Sequence, residues 1–286
     1  MREEMIATVD GAVLLRVSAS TDVGRKRAIN EDSYLAASPV FLVADGMGGH
    51  AQGDRASHQV IEVFEHSIQF GQTTTPRAVL SAITTANTSV RGLSAPDARE
   101  ESVAGSTLSG VALVDTENGT NQRWMAFNVG DSRVYSWDGS SLEQLTVDHS
   151  AVQELVDGGE ITLAEAAHHP ERNVITRAIG VDDEVEADVW LLPTGGNQCF
   201  MVCSDGLTKE VSDLEISSLF AEAERDAALP YLAQRLVAAA LASGGSDNIT
   251  VVIVEARMSS QEPSADRGNL RGVVPAFLEQ TLPRVS

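Results

Sequence analysis

Three apolar runs in this chain each abut a carboxylate, and a fourth carboxylate opens another strand-like stretch. The run 40–44 stops at Asp45-Gly46, the run 200–204 stops at Asp205-Gly206, Asp247-Asn248 immediately precedes the run 249–254, and Asp32 closes the triplet Asn30-Glu31-Asp32. A short apolar run bounded by turn residues reads as a buried strand. A strand that stays buried to its last residue and then presents a carboxylate places that group at the rim of a sheet, and a following Gly lets backbone or ligand approach closely. Oxygen-rich donor sets without Cys or His suit Mg²⁺ or Mn²⁺ rather than zinc. Any single Asp-Gly is also an ordinary turn. Four carboxylates in comparable places favour a cage for hard cations.

Between these points the pattern alternates between sheet and helix. Strands are predicted over 12–19, over 34–44 as a pair turned near Ser38-Pro39, and over 106–114, 124–129, 133–137, 185–192, 199–203 and 249–254. Helices are predicted from Asp54 to about residue 68, over 76–90 with Pro76 in the first turn, over 150–156 and 163–167, and over 213–224 and 229–243, the last ended by Gly244-Gly245. Helices and strands that segregate in this way indicate an α+β class. No internal repeat or linker divides the sequence, so one folded domain over 1–256 is expected, followed by a Ser-, Pro- and Asp-containing tail, 257–286, of disordered composition.

The formal net charge is −21. The tail holds four Arg against Glu262, Asp266 and Glu279, which leaves about −22 on the body. A nucleic-acid ligand needs a basic footprint, which this body lacks. No 18-residue apolar run and no basic-then-apolar leader is present, so a cytoplasmic protein without a membrane contact is expected, and a monomer. Cys199 and Cys203 lie about 13 Å apart along a predicted strand, beyond the disulfide reach of about 7 Å, and read as core thiols of a reducing compartment.

Five segments in one order, Arg27-Ala28-Ile29-Asn30-Glu31-Asp32, Asp45-Gly46-Met47-Gly48-Gly49-His50, Gly130-Asp131-Ser132-Arg133, Cys203-Ser204-Asp205-Gly206-Leu207 and Ser246-Asp247-Asn248-Ile249-Thr250, resemble the motif set of the metal-dependent type 2C serine/threonine protein phosphatases. The resemblance covers about 17–255, and the Met47 to His50 form is similar to bacterial members. It implies two antiparallel sheets packed face to face with helices outside, a four-layer αββα sandwich. It also implies hydrolysis of phosphoserine and phosphothreonine by water activated between two Mn²⁺ or Mg²⁺ ions.

On that resemblance, Asp45, Asp205 and Asp247 are the catalytic metal ligands, with Gly46 contributing its carbonyl. Glu31 and Asp32 hold metal waters, or alternatively sit in a solvated loop. Two carboxylates about 4 Å apart repel by about 4 kcal/mol at an effective dielectric near 20, so such a cluster needs its cations for local order as well as for chemistry. Arg27, five residues before Asp32, is the substrate phosphate clamp, with Arg25 and Lys26 as nearby substitutes. Asp131 matches the ligand of a third, weaker ion between the core and a mobile flap over 158–180; its alternative is a turn residue. Met47 stands where animal members place a His that protonates the leaving oxygen, and a thioether donates no proton. His50, three residues on, is the substitute candidate, whereas His58, His66, His149, His168 and His169 read as structural or solvated.

The implied partners are phosphorylated proteins and the Ser/Thr kinase whose work the enzyme would oppose. Other readings are a regulatory phosphatase dedicated to one phosphoprotein and a pseudophosphatase that binds without turnover. The second is disfavoured because every direct metal position is acidic or Gly. A metal-dependent nuclease is disfavoured by the charge.

Overall fold

The computed structural model describes residues 2–8, 11–48, 52–94, 103–116 and 122–259. The expectations for His50 and for the tail beyond residue 259 lie outside these residues. Strands β1 (Arg2–Thr8), β2 (Gly11–Asp22), β3 (Asp32–Ala37) and β4 (Val40–Met47) come first, then helices α1 (Gln52–Ser67) and α2 (Pro76–Arg91). There follow β5 (Gly105–Ser106), β6 (Leu108–Asp115), β7 (Gln122–Val129), β8 (Arg133–Trp137), β9 (Leu142–Gln144), α3 (Ala151–Asp157) and α4 (Leu163–Ala166). The last part holds β10 (Asp188–Pro193), β11 (Asn197–Cys203), α5 (Asp205–Thr208), α6 (Asp213–Arg225), α7 (Leu232–Ser243) and β12 (Ile249–Ser259). All strand ladders are antiparallel, in one sheet ordered β1-β2-β12-β11-β8-β9 and a second ordered β10-β7-β6-β4-β3, with β5 against β4.

The apolar runs are continuous because the central strands are covered on both faces. Along β4, Phe41 and Val43 point between the sheets, while Val40, Leu42 and Ala44 face α1 and α2. Along β12, Val252, Val254 and Ala256 fill the interior, while Ile249, Val251 and Ile253 meet α6 and α7. This is the side-chain period of two applied to a four-layer stack. Trp124 anchors the interior, with its ring centroid 5.1 Å from Phe200 and 6.5 Å from Phe41. The expected αββα sandwich is therefore the observed one.

Helix starts follow local chemistry. Thr75 caps α2 by accepting from the Ala78 N–H at 3.1 Å with Pro76 in the first turn, and Thr162 and Glu165 make a reciprocal capping box on α4. Several expected bounds shift. Residues 2–8 and 142–144, where the sequence pattern predicts no element, form strands β1 and β9. The expected helix over 229–243 opens with a 3-10 turn, Leu229–Tyr231, before α7. The last strand runs to Ser259, past residue 256. Cys199 and Cys203 are buried free thiols, as expected.

Candidate active site

The strand ends named above gather at one end of the sandwich. Asp32 and Asp45 are direct partners across the β3–β4 ladder, and Cys203 pairs both Arg133 of β8 and Val251 of β12, which sets the 130–132 turn, Asp205 and Asp247 side by side. Asp205 departs from expectation in one respect: it is not a strand terminus but the first residue of the four-residue helix α5, entered through Ser204. A groove of about 680 Å³ is lined by Asp131, Asp205 and Asp247, by Arg27 and Lys209, and by Leu163 and Arg172 of the expected flap.

Close backbone packing holds the acidic residues in place. Gly46 donates its N–H to the Glu31 carbonyl at 3.0 Å, and a Cβ on Gly46 would meet the Gly53 carbonyl oxygen at 2.0 Å. Only Gly fits there. The Asp45 N–H is received by Thr107 Oγ1 at 3.0 Å, and its carbonyl accepts from the Thr107 N–H at 2.8 Å. Asn248 staples the 23–31 loop: its Oδ1 accepts from Glu31 N, and its Nδ2 donates to the Val23 and Ile29 carbonyls. A Cβ on Gly206 would meet the Asn248 carbonyl oxygen at 1.9 Å, so α5 also depends on a missing side chain.

Burial dominates the electrostatics. It pushes the Asp32 carboxyl up to about 7, against hydrogen bonds from Thr250 and Ser204, the latter at 2.8 Å, and with Asp205 and Asp247 adding to the rise. Burial, followed by the charge of Asp32, holds Asp45 well above the ordinary carboxylate range. Asp131 is likewise pushed to about 7 by burial and by Asp205 and Asp148. Asp205 is raised by burial, which Lys209 opposes. Asp247 differs: burial would raise it, but Lys209 and Arg27 hold it below the ordinary value. Like charges gathered away from water favour either protons or cations.

Among the described residues, no three acidic, His or Cys side chains are drawn tightly enough together to hold an ion as they stand. Arg27 and Lys209 instead lie against the carboxylates. Arg27 forks onto Asp247 at 2.8 and 3.0 Å, and Lys209 Nζ contacts Asp205 Oδ2 and, at 3.2 Å, Asp247 Oδ2. The residues nonetheless fit hard cations. Buried Asp32 Oδ1, Asp131 Oδ1 and Asp205 Oδ1 have no hydrogen-bond partner, and the donors are all oxygen.

Arg25 is committed elsewhere, its Nε donating to the Leu241 carbonyl at 2.8 Å, which leaves Arg27 as the arginine of that stretch at the groove. Met47 Cε lies toward Gly105 and contributes no proton donor. His58 and His66 are exposed on α1, each ring nitrogen on a backbone carbonyl one turn back. His149 is buried: its Nδ1 accepts from the Gly130 N–H at 3.1 Å, and its Nε2 lies near Arg177 and Asp188, so it braces the turn that presents Asp131. Lys209 and Ser204 were missed by sequence reasoning. The one available signal for Lys209 is its spacing of four from Asp205, a helical salt-bridge interval.

Residues 24–243 match the family model described as Protein phosphatase 2C. The serine/threonine phosphatase stp of Listeria welshimeri is 35% identical over 244 residues, covering 82% of this chain and 93% of that protein. PstP, a serine/threonine protein phosphatase of Mycobacterium tuberculosis, is 35% identical over 243 residues, which cover 85% of this chain but 45% of the longer protein. Among solved structures, the catalytic domain of serine threonine protein phosphatase PstP in complex with two manganese ions is 32% identical with a TM-score of 0.72, covering 86% of this chain and all of that one. The Mycobacterium smegmatis phosphatase MsPP in complex with cacodylate is 34% identical with a TM-score of 0.70, covering 84% of this chain and 97% of that one.

Proposed function

Because this chain belongs to the protein phosphatase 2C family, we propose that the groove hydrolyses phosphoserine and phosphothreonine in proteins, with Mn²⁺ or Mg²⁺ as the cofactor. The observation that carries this reading is the gathering of Asp131, Asp205 and Asp247 on one groove, with buried Asp32 and Asp45 close enough to feel their charges, and with unpartnered buried carboxylate oxygens on Asp32, Asp131 and Asp205. Divalent ions held there would acidify water and neutralise charge on the phosphoryl oxygens.

The chain's own residues divide the remaining work. Asp45, Asp205 and Asp247, with the Gly46 carbonyl, would hold two central ions, and Asp131 a third, weaker one. Glu31 and Asp32 would orient water from the loop that Asn248 fixes. Arg27 presents a planar fork in the groove, suited to two phosphate oxygens, and would turn that fork from Asp247 toward the substrate. Leu163 and Arg172 line the side over which the peptide flanking the phosphoresidue would pass. His50 remains the candidate proton donor to the leaving oxygen, Met47 being unable to serve.

We place the enzyme opposite a Ser/Thr kinase, as a monomer in the cytoplasm; buried free Cys199 and Cys203 fit a reducing compartment, and among the described residues no helix is long and apolar enough to cross a membrane. The test is release of phosphate from a phosphothreonine peptide. The parent should turn over with Mn²⁺ and stop in chelator, and Asp45→Ala should be inactive though folded. Turnover that persists in chelator would overturn the metal reading.

A further inference from the structure

Asp247 already accepts four polar contacts. Its Oδ1 meets Arg27 Nε at 2.8 Å and the Asn248 N–H at 3.0 Å, and its Oδ2 meets Arg27 Nη2 at 3.0 Å and Lys209 Nζ at 3.2 Å. A carboxylate offers about four acceptor positions. No lone pair of Asp247 is left for a metal ion until one of these donors withdraws. The Asn248 N–H is backbone, and Arg27 is the group expected to turn toward phosphate. Lys209 is the remaining cation, and it shares Asp205 with Asp247.

Lys209 is well placed to act on both ligands at once. It follows the last residue of α5, its backbone N–H donates to the Asp205 carbonyl at 2.8 Å, and its side chain reaches back one turn to the Asp205 carboxylate. The side chain is 30% exposed, and the two carboxylates are 14% and 18% exposed. Ammonium and carboxylates are thus partly withdrawn from solvent, where salt screens them less than at an open surface. The other charged groups lining the groove are Asp131, Arg27, Asp148, Arg133, Arg172 and Asp213; the Arg133 guanidinium is already forked onto Asp148 at 2.7 to 3.0 Å, and Asp213 accepts from the Tyr135 hydroxyl at 3.1 Å. Asp205 keeps its Oδ1 unpartnered while its Oδ2 is held by Lys209.

We propose that Lys209 is a tethered counter-cation of the metal site, holding Asp205 and Asp247 together when divalent ions are scarce and competing with those ions for the same two carboxylates. The inference rests on the metal reading above. Its consequence is a raised threshold: the ion must displace a positive charge that can never diffuse away, and when the ion leaves, the ammonium returns and limits carboxylate repulsion.

The test is Mn²⁺ binding by calorimetry and thermal unfolding in chelator, on the parent, Lys209→Met and Lys209→Arg. Removing one positive charge about 5 Å from a dication, at a dielectric near 80, favours the ion by roughly tenfold or more. Lys209→Met should therefore bind Mn²⁺ at least tenfold more tightly than the parent and melt at a lower temperature in chelator. Lys209→Arg, which keeps the charge, should stay within about threefold of the parent. Should Lys209→Met not fold in chelator, Lys209→Gln gives the same reading with a retained donor and no charge. Unchanged or weaker Mn²⁺ affinity in both neutral variants, or equal tightening in Lys209→Arg, overturns the proposal. A parent that binds no Mn²⁺ overturns the metal reading itself, a result the variants cannot mimic.

Discussion

In chelator, the folded protein is expected to lose stability as the pH rises from about 5.5 to about 8. Asp32 and Asp131 have carboxyls raised from 3.8 to about 7 by burial and neighbouring charge. Each folded-state value lies above its unfolded value, so the folded protein holds protons that the unfolded chain releases. That contribution is fully present below about pH 4 and is lost as the pH climbs through about 7. Integrated over the experimental window, one such group accounts for about 2 kcal/mol, or about 4 to 8 °C in melting temperature for a domain of this size. Groups lowered in the fold, such as Asp138 at about 2, have already made their contribution by the bottom of the window and do not add to the slope. With saturating Mn²⁺ the trend should flatten or reverse, because the ions take the place of the protons. The assay is thermal unfolding followed by circular dichroism at several pH values, with chelator or with Mn²⁺. Asp32→Asn should remove its share of the slope in chelator. A chelated parent that is equally stable at both ends of the window would refute the account of buried, proton-holding carboxylates.

Three further outcomes are expected. Gly206→Ala should destabilise the protein by about 1–3 kcal/mol, read by denaturant unfolding, because its Cβ would meet the Asn248 carbonyl oxygen at 1.9 Å. Arg27→Ala, assayed at saturating Mn²⁺ on a phosphopeptide, should raise KM and leave kcat little changed, since a phosphate grip made equally in ground and transition states is uniform binding; an unchanged KM removes Arg27 from the clamp. Asp131→Ala should abolish a second, low-affinity phase in the Mn²⁺ activity titration while two ions still bind by calorimetry, and a titration matching the parent would reduce Asp131 to a turn residue.

The long strands and helices were legible because a four-layer stack leaves its central strands apolar on both faces, as in 40–44 and 249–254, and its helices apolar on one, as in α1. Strand β1 was not legible. It is a sheet edge with Ile6 as its buried anchor, and it is held by pairing with β2, where Glu3 lies opposite Arg16 and bonds to it at 2.7 Å. Neither the register nor that charge pair is written in the local pattern of Arg2-Glu3-Glu4. Helix α5 has four residues, too few for any periodicity to show. At the site, the carboxylates could be named from their motifs, but their company could not. Asn248 as the staple of a loop more than 200 residues away, Ser204 as the donor to Asp32, and Lys209 on two carboxylates are tertiary facts. Sequence spacing hinted at only the Asp205–Lys209 contact.

Strand β12 lies between β2 and β11, paired with β2 from Ile249↔Asp22 through Ser259↔Ala12. The first sheet is thus closed in its middle by the last strand described, and Arg27 meets Asp247 across 220 residues of chain. During synthesis at about 5–20 residues per second, a stretch of that length takes roughly 10–45 s to emerge. Throughout that interval β2 exposes an unpaired edge, and the site lacks Asp247 and the Asn248 staple. A nascent chain therefore lacks a complete site and stays open to wrong strand pairing until β12 has left the ribosome.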